Sequence, residues 1–361
     1  MTRYSRRKFI QGLLTAPVLL ALSKGCASSV SSPNSAPTPS PWQLGIGEDP
    51  ARFLAEVKSD RLVKTIAQAL SPQFLSGWLN SFDHKQGDLS FWQEWHKQGL
   101  LSNWFQQGYT LQVITWEDDT KLPTGEYHIS QQFLSDIEEL AGYIRQANPQ
   151  DKPTYWTLAT EFSYWRIPAD TYNQDTSEYY QALMKNMRQA RQIIKQQLPN
   201  AWVAPSWGGW IVTFDDPAKG AGLSMIPPFG EFMQQMDGIA FQSMRPKLTG
   251  EYNSELRGPD PGNPAQILQC CQVFSDYHKS LMVSHYEPAI KALHPNGGQA
   301  NTVTEDFLIM MRPEWLRTVT RLGLDKISLM HYGLYKGNPV HALSAVQTFQ
   351  TIIQEGSWAV T

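Results

Sequence analysis

Eight short apolar runs, each followed by a longer amphipathic one, predict an α/β fold in which a parallel sheet closes into a (β/α)8 TIM barrel. Three observations carry that reading. The apolar runs number eight and the segments between them have helical spacing. The connections lengthen after the fifth, sixth and seventh runs, where they are rich in Gly, Pro and polar residues, as loops at the carboxyl face of a barrel are. With 361 residues, 41% hydrophobic and 12% aromatic, the chain can fill one large core, and it shows no internal repeat.

The first 26 residues stand outside the fold. Ser5-Arg6-Arg7-Lys8-Phe9-Ile10 precedes an uncharged apolar run at 10–22, too short to span a bilayer, which is the pattern of a twin-arginine export signal. Leu22-Ser23-Lys24-Gly25-Cys26 has the form of a lipoprotein processing box with Cys26 as the lipid-bearing residue. Lys24 fits that box poorly, so cleavage after Ala27 without lipid is the alternative. Residues 27–41, rich in Ser and Pro, read as a solvated tether. The expected location is the periplasm, or the membrane surface through a lipid on Cys26, with the barrel occupying 42–361.

Strands are expected at 43–47, 74–79, 110–116, 155–160, 202–205, 238–242, 280–284 and 326–331. The clearest helix is 175–198, opened by Asp175 and Glu178 as a capping box; others are 129–145, 264–277, 304–322 and 340–354. An open doubly wound sheet is the competing architecture. It wants a Gly-rich phosphate turn after its first strand, but Leu44-Gly45-Ile46-Gly47-Glu48 lacks the third glycine and sets carboxylates where phosphate would lie.

Charge narrows the partners. The chain has 30 basic and 33 acidic residues; removing the signal with Arg3, Arg6, Arg7, Lys8 and Lys24 leaves 25 against 33, a net charge of −8. Neither nucleic acid nor an anionic membrane suits that sign, so membrane contact is expected only through the lipid. Cys270 and Cys271 are adjacent on an expected helix, where a mutual disulfide would be strained, and read as two buried thiols. The eight histidines are scattered and form no metal-binding motif, so no metal or cofactor is expected.

Carboxylates crowd the expected strand ends: Glu48 after the first, Trp116-Glu117-Asp118-Asp119 after the third, Glu161 after the fourth and Glu287 after the seventh. A glutamate pair facing one another across the mouth suits glycoside chemistry, with retention at a separation of about 5–5.5 Å and inversion at about 6.5–9.5 Å. Phe162, Tyr164 and Trp165 close to Glu161 would disfavour its charged form and help it hold a proton near neutrality. His285 and Tyr286 beside Glu287 are expected hydrogen-bond donors that would keep it ionised. Trp78, Trp116, Trp165, Trp207 and Trp210 fall at or just past strand ends, where indole faces would stack on pyranose rings. Gln242 and Ser243, with His331 and Tyr332, are further candidates for binding hydroxyls.

Several of these segments resemble the clan of retaining (β/α)8 glycoside hydrolases, and within it the β-mannanase-like family 26. The likeness runs through Val113-Ile114-Thr115-Trp116-Glu117, then Gly125-Glu126-Tyr127, then Glu161 with Trp165 behind it. It implies Glu161 as general acid/base, Glu287 in His285-Tyr286-Glu287-Pro288 as nucleophile, and a β-linked polysaccharide as substrate. Where that family has a histidine before the acid/base, and the wider clan an asparagine, Thr160 stands here. A barrel that binds carbohydrate without turnover is the alternative that Thr160 keeps open.

Overall fold

The computed structural model describes residues 42–81, 87–117, 129–162, 177–209, 226–245, 250, 252–253, 258–287, 299–329, 332, 339–356 and 358. Eight strands close into a barrel: β1 (Gln43–Glu48), β2 (Phe74–Asn80), β3 (Thr110–Trp116), β4 (Tyr155–Leu158), β5 (Trp202–Trp207), β6 (Gly238–Met244), β7 (Ser280–Glu287) and β8 (Leu324–Leu329). Every neighbouring pair is parallel, and β1 completes the ring by pairing Gln43 with Lys326 of β8 and Gly45 with Phe74 of β2. A two-residue ribbon, Tyr252–Asn253 against Gly258–Pro259, follows β6. The predicted (β/α)8 barrel is the fold, with the strands in chain order.

Helices wrap the outside. Between β1 and β3 lie four: α1 (Pro50–Ser59), α2 (Arg61–Leu70), α3 (Leu89–Lys97) and α4 (Leu100–Gln106). Three of them begin at an aspartate cap: Asp49 accepts from the Arg52 N–H (3.0 Å), Asp60 from Leu62 (2.8 Å) and Asp88 from Ser90 (2.9 Å). Then come α5 (Gln131–Ala147), α6 (Ser177–Gln197), the short α7 (Gly230–Gln235) and α8 (Gly262–Phe274). The helix expected over 304–322 is two, α9 (Gln299–Met310) and α10 (Pro313–Arg321), because Pro313 cannot continue the hydrogen-bond ladder and Arg312 before it is extended. The last helix is α11 (Pro339–Glu355).

Two cores result. The larger lies between strands and helices; the smaller lies inside the barrel, where Phe74, Tyr155, Ala204, Ala240 and Met282 meet. Gly45 makes room for that inner layer, since a Cβ on it would come within 1.8 Å of the Phe74 ring. Toward the carboxyl ends, the inner layer turns polar. Ser76 Oγ donates to Gln112 Oε1 (2.7 Å) and lies 2.6 Å from Ser328 Oγ, while Gln112 Nε2 donates to the Ser284 carbonyl (2.8 Å). This satisfied polar layer forms the floor beneath the barrel mouth.

Candidate active site

Side-chain alternation along β7 decides what the mouth contains. Tyr286 turns outward: it is fully buried, its hydroxyl donates to Asp306 of α9 (2.6 Å), and its ring packs on Phe307. Its neighbours His285 and Glu287 therefore point to the barrel interior. The His285 ring meets that of Trp78 of β2 at 5.6 Å, and Trp78 in turn lies 6.1 Å from the half-buried Trp116 of β3. Glu287 is 4% exposed, so its carboxylate belongs to the inside of the protein rather than to a solvated loop.

Glu161 sits at the same end of the barrel, three residues past β4, and is half-buried. Its backbone is left-handed (φ 62°), as is that of Ala159 (φ 51°), a conformation that a residue with a Cβ adopts only when its surroundings over-determine it. Both neighbouring strands supply the constraint. On β3, Thr115 accepts the Ala159 N–H through Oγ1 (2.9 Å) and the Thr160 N–H through its carbonyl (2.9 Å). On β5, the Ser206 carbonyl accepts the Glu161 N–H (3.2 Å), and Phe162 is sunk against Trp207 and Phe229. Ser206 also reaches β7, its Oγ lying 3.0 Å from Ser284 Oγ, so one residue ties the backbone of Glu161 to the strand that carries Glu287.

Behind β7 lies a buried polar cluster that the sequence did not single out. Asn263, at the start of α8, donates through Nδ2 to Asp306 (2.9 Å) and to the Glu287 carbonyl (3.3 Å), while its Oδ1 accepts from the Arg245 N–H (2.9 Å). Arg245 in turn grips Asp260 with two bonds of 3.0 and 2.7 Å. Burial raises the Asp306 carboxyl to about 6, the bonds from Tyr286 and Asn263 opposing only part of that rise. The cluster clamps the ends of β6 and β7 together just below Glu287.

Several sequence expectations change. Glu117 has a structural task, its carboxylate accepting from the Ser130 N–H (2.7 Å) and hydroxyl (2.6 Å) and so locking the start of α5. Trp207 faces outward beside inward Ser206 and is fully buried between Phe162, Phe229 and Phe274. Tyr286 donates to Asp306, in the helix layer, where a hydroxyl-binding role is closed to it. Ser243 likewise bonds outward to Asn263 and Gln266, and Tyr332 packs on Phe53 of α1. Gln242, between outward-facing Phe241 and Ser243, faces inward and is fully buried. Trp165, Trp210, His331 and Cys26 lie outside the described residues. Cys270 and Cys271 are fully buried thiols, both pushed up by burial. Among the described residues no three His, Cys, Asp or Glu side chains gather to hold a metal ion.

No protein-family model matches the chain, and no similar curated protein is found. Solved structures resemble it in fold. A β-glycosidase, BGL167, superposes with a TM-score of 0.52 at 9% identity over 90% of this chain and 98% of that one. The GH53 catalytic domain of Ignisphaera aggregans gives 0.51 at 11%, over 90% and 99%. The exo-β-1,4-mannosidase Op5Man5 from Opitutaceae bacterium strain TAV5 gives 0.50 at 12%, over 88% of this chain; the chain spans 60% of that enzyme. At these identities the likeness is one of fold, and the barrel described here is the architecture these glycoside hydrolases share with it.

Proposed function

We propose that the chain is an exported glycoside hydrolase that cleaves a β-linked polysaccharide with retention of anomeric configuration, Glu161 serving as acid/base and Glu287 as nucleophile. The observation that carries this is the inward turn of Glu287 and His285 at the end of β7, at the same barrel end as Glu161 and beside the Trp78–Trp116 aromatic wall. In the first step Glu161 protonates the glycosidic oxygen as a Glu287 oxygen attacks the anomeric carbon; the glycosidic bond breaks and a glycosyl ester forms. In the second, Glu161 takes a proton from water, the water oxygen bonds to the anomeric carbon, and the ester to Glu287 is released. The glycoside hydrolase identity of the structures that share the fold supports the same assignment. A place near family 26, export through the twin-arginine signal and lipid on Cys26 belong to the same proposal and rest on the motifs quoted above.

The test is to assay reducing-end release from β-mannan, β-glucan, xylan and cellulose with Glu161→Gln and Glu287→Gln made separately. We expect each to lose at least about 100-fold in kcat on the preferred polymer, with the unaltered protein releasing the retained anomer first. Losses below about tenfold for both would refute the assignment. Thr160 favours one other reading, a barrel that binds carbohydrate without cleaving it, because its hydroxyl is buried and has no partner among the described residues where the clan has an asparagine. Polymer binding that survives both substitutions, with no product from the unaltered protein, would select that reading. Mass measurement of the exported chain decides lipidation at Cys26.

A further inference from the structure

Gln242 is fully buried, and neither its Oε1 nor its Nε2 has a hydrogen-bonding partner among the described residues. Leaving a buried primary amide in that state is unfavourable, so folding alone does not account for a glutamine there. Its direction is fixed by its neighbours. Phe241 stacks on Phe274 of α8, and Ser243 bonds to Asn263 and Gln266 of the same helix, so both face outward and Gln242 between them faces the barrel interior. Its register partner on β7 is His285, two residues below the pairing of Met244 with Glu287. The amide thus lies in the wall of the mouth at the level of His285, deeper than Glu287, and above the satisfied Ser76–Gln112 floor.

We propose, resting on the saccharide reading above, that Gln242 is the deepest recognition position of the site and takes two adjacent hydroxyls of one sugar unit. An amide presents one acceptor and two donors side by side, and a vicinal diol presents a donor and an acceptor on each oxygen, so one diol satisfies both atoms at once. A site built to hydrogen-bond a hydroxyl loses most when the bond is not made, because its buried polar atoms are then left unpaired. Gln242 therefore costs stability in the unliganded protein and gains its partners from the ligand.

Those two consequences have opposite signs, which makes the proposal testable with Gln242→Met and Gln242→Leu, each in the full chain carrying Glu161→Gln to prevent turnover. The probes are β-1,4-linked mannotetraose, xylotetraose and cellotetraose, titrated calorimetrically, together with thermal unfolding without sugar. We expect the best-bound tetraose to bind about 30-fold more weakly to both variants, the loss of two ordinary hydrogen bonds. Without sugar, their melting temperatures should equal or exceed that of the parent. Affinity within threefold of the parent would mean a buried water only and overturn the proposal, as would a fall in melting temperature beyond about 5 °C in both variants, which would make the amide a structural bond. Binding of none of the three to the parent would overturn both the proposal and the saccharide reading, whereas binding without loss in the variants overturns the proposal alone.

Discussion

Asp306→Asn is expected to stabilise the protein above neutral pH and to do nothing in acid. Asp306 is buried behind β7, accepting from Tyr286 (2.6 Å) and Asn263 (2.9 Å) through a single oxygen, Oδ2. An asparagine carbonyl can accept both bonds, so the substitution removes the charge and keeps the geometry. Burial raises the carboxyl from 3.8 to about 6. The native state therefore binds a proton that the unfolded state has released between those values, and stability falls as pH rises through that window. The contribution is whole below pH 3.8 and lost above about pH 6. At about 1.36 kcal/mol per pH unit, the loss is about 3 kcal/mol. Urea denaturation of both proteins from pH 4 to pH 8 checks this: the curves should meet near pH 4 and separate by about 3 kcal/mol at pH 8, Asp306→Asn being the more stable. A variant less stable than the parent at pH 8 would refute the reasoning, because it would mean that the charge is held by the bonds of Tyr286 and Asn263 rather than opposed by burial.

Glu117→Gln should lower stability by about 1 kcal/mol and Ser130→Ala by about 2 kcal/mol, since the second removes the α5 cap as well as a partner of a buried carboxylate. Urea midpoints measure both, and an unchanged midpoint with a raised KM for Glu117→Gln would return that residue to the substrate site. Gly45→Ala drives a Cβ to within 1.8 Å of the Phe74 ring and should cost more than about 3 kcal/mol. The double variant Gly45→Ala with Phe74→Leu should recover part of the loss in thermal unfolding, and a tolerated single variant would contradict the inner packing.

The barrel was legible because its evidence is local. A strand buried on both faces must be an apolar run, and all eight runs found in the sequence became the eight strands. Helices follow from the strand count, but the division of the segments after β1 and β2 into α1 to α4 does not, because each is 10 residues or shorter and three of them start at a cap such as Asp60, whose carboxylate meets two N–H groups. Glu161 was legible as a position, but the left-handed backbone that holds it was not. Such a turn usually shows itself as a glycine, and here Ala159 and Glu161 occupy it under the restraint of Thr115 and Ser206 from other strands.

Which side chain of His285-Tyr286-Glu287 enters the mouth depends on one irregularity in β7. Met282 belongs to the inner core layer, so strict alternation would send Ser284 and then Tyr286 inward and place Glu287 among the helices. The pairing with β6 shifts instead, from Phe241 opposite Val283 to Gln242 opposite His285, leaving Ser284 as the extra residue of a bulge. Ser284 uses its own hydroxyl to satisfy the bulge, donating to the Phe241 carbonyl (3.2 Å). The same irregularity shows on the other side, where Ile327 and Leu329 of β8 pair with Val283 and Tyr286. Because Ser284 keeps a negative φ, no glycine marks the place, and a reading at period two cannot find it. That one inserted residue exchanges Tyr286 for His285 and Glu287 at the barrel interior, and the chemistry proposed for this protein depends on the exchange.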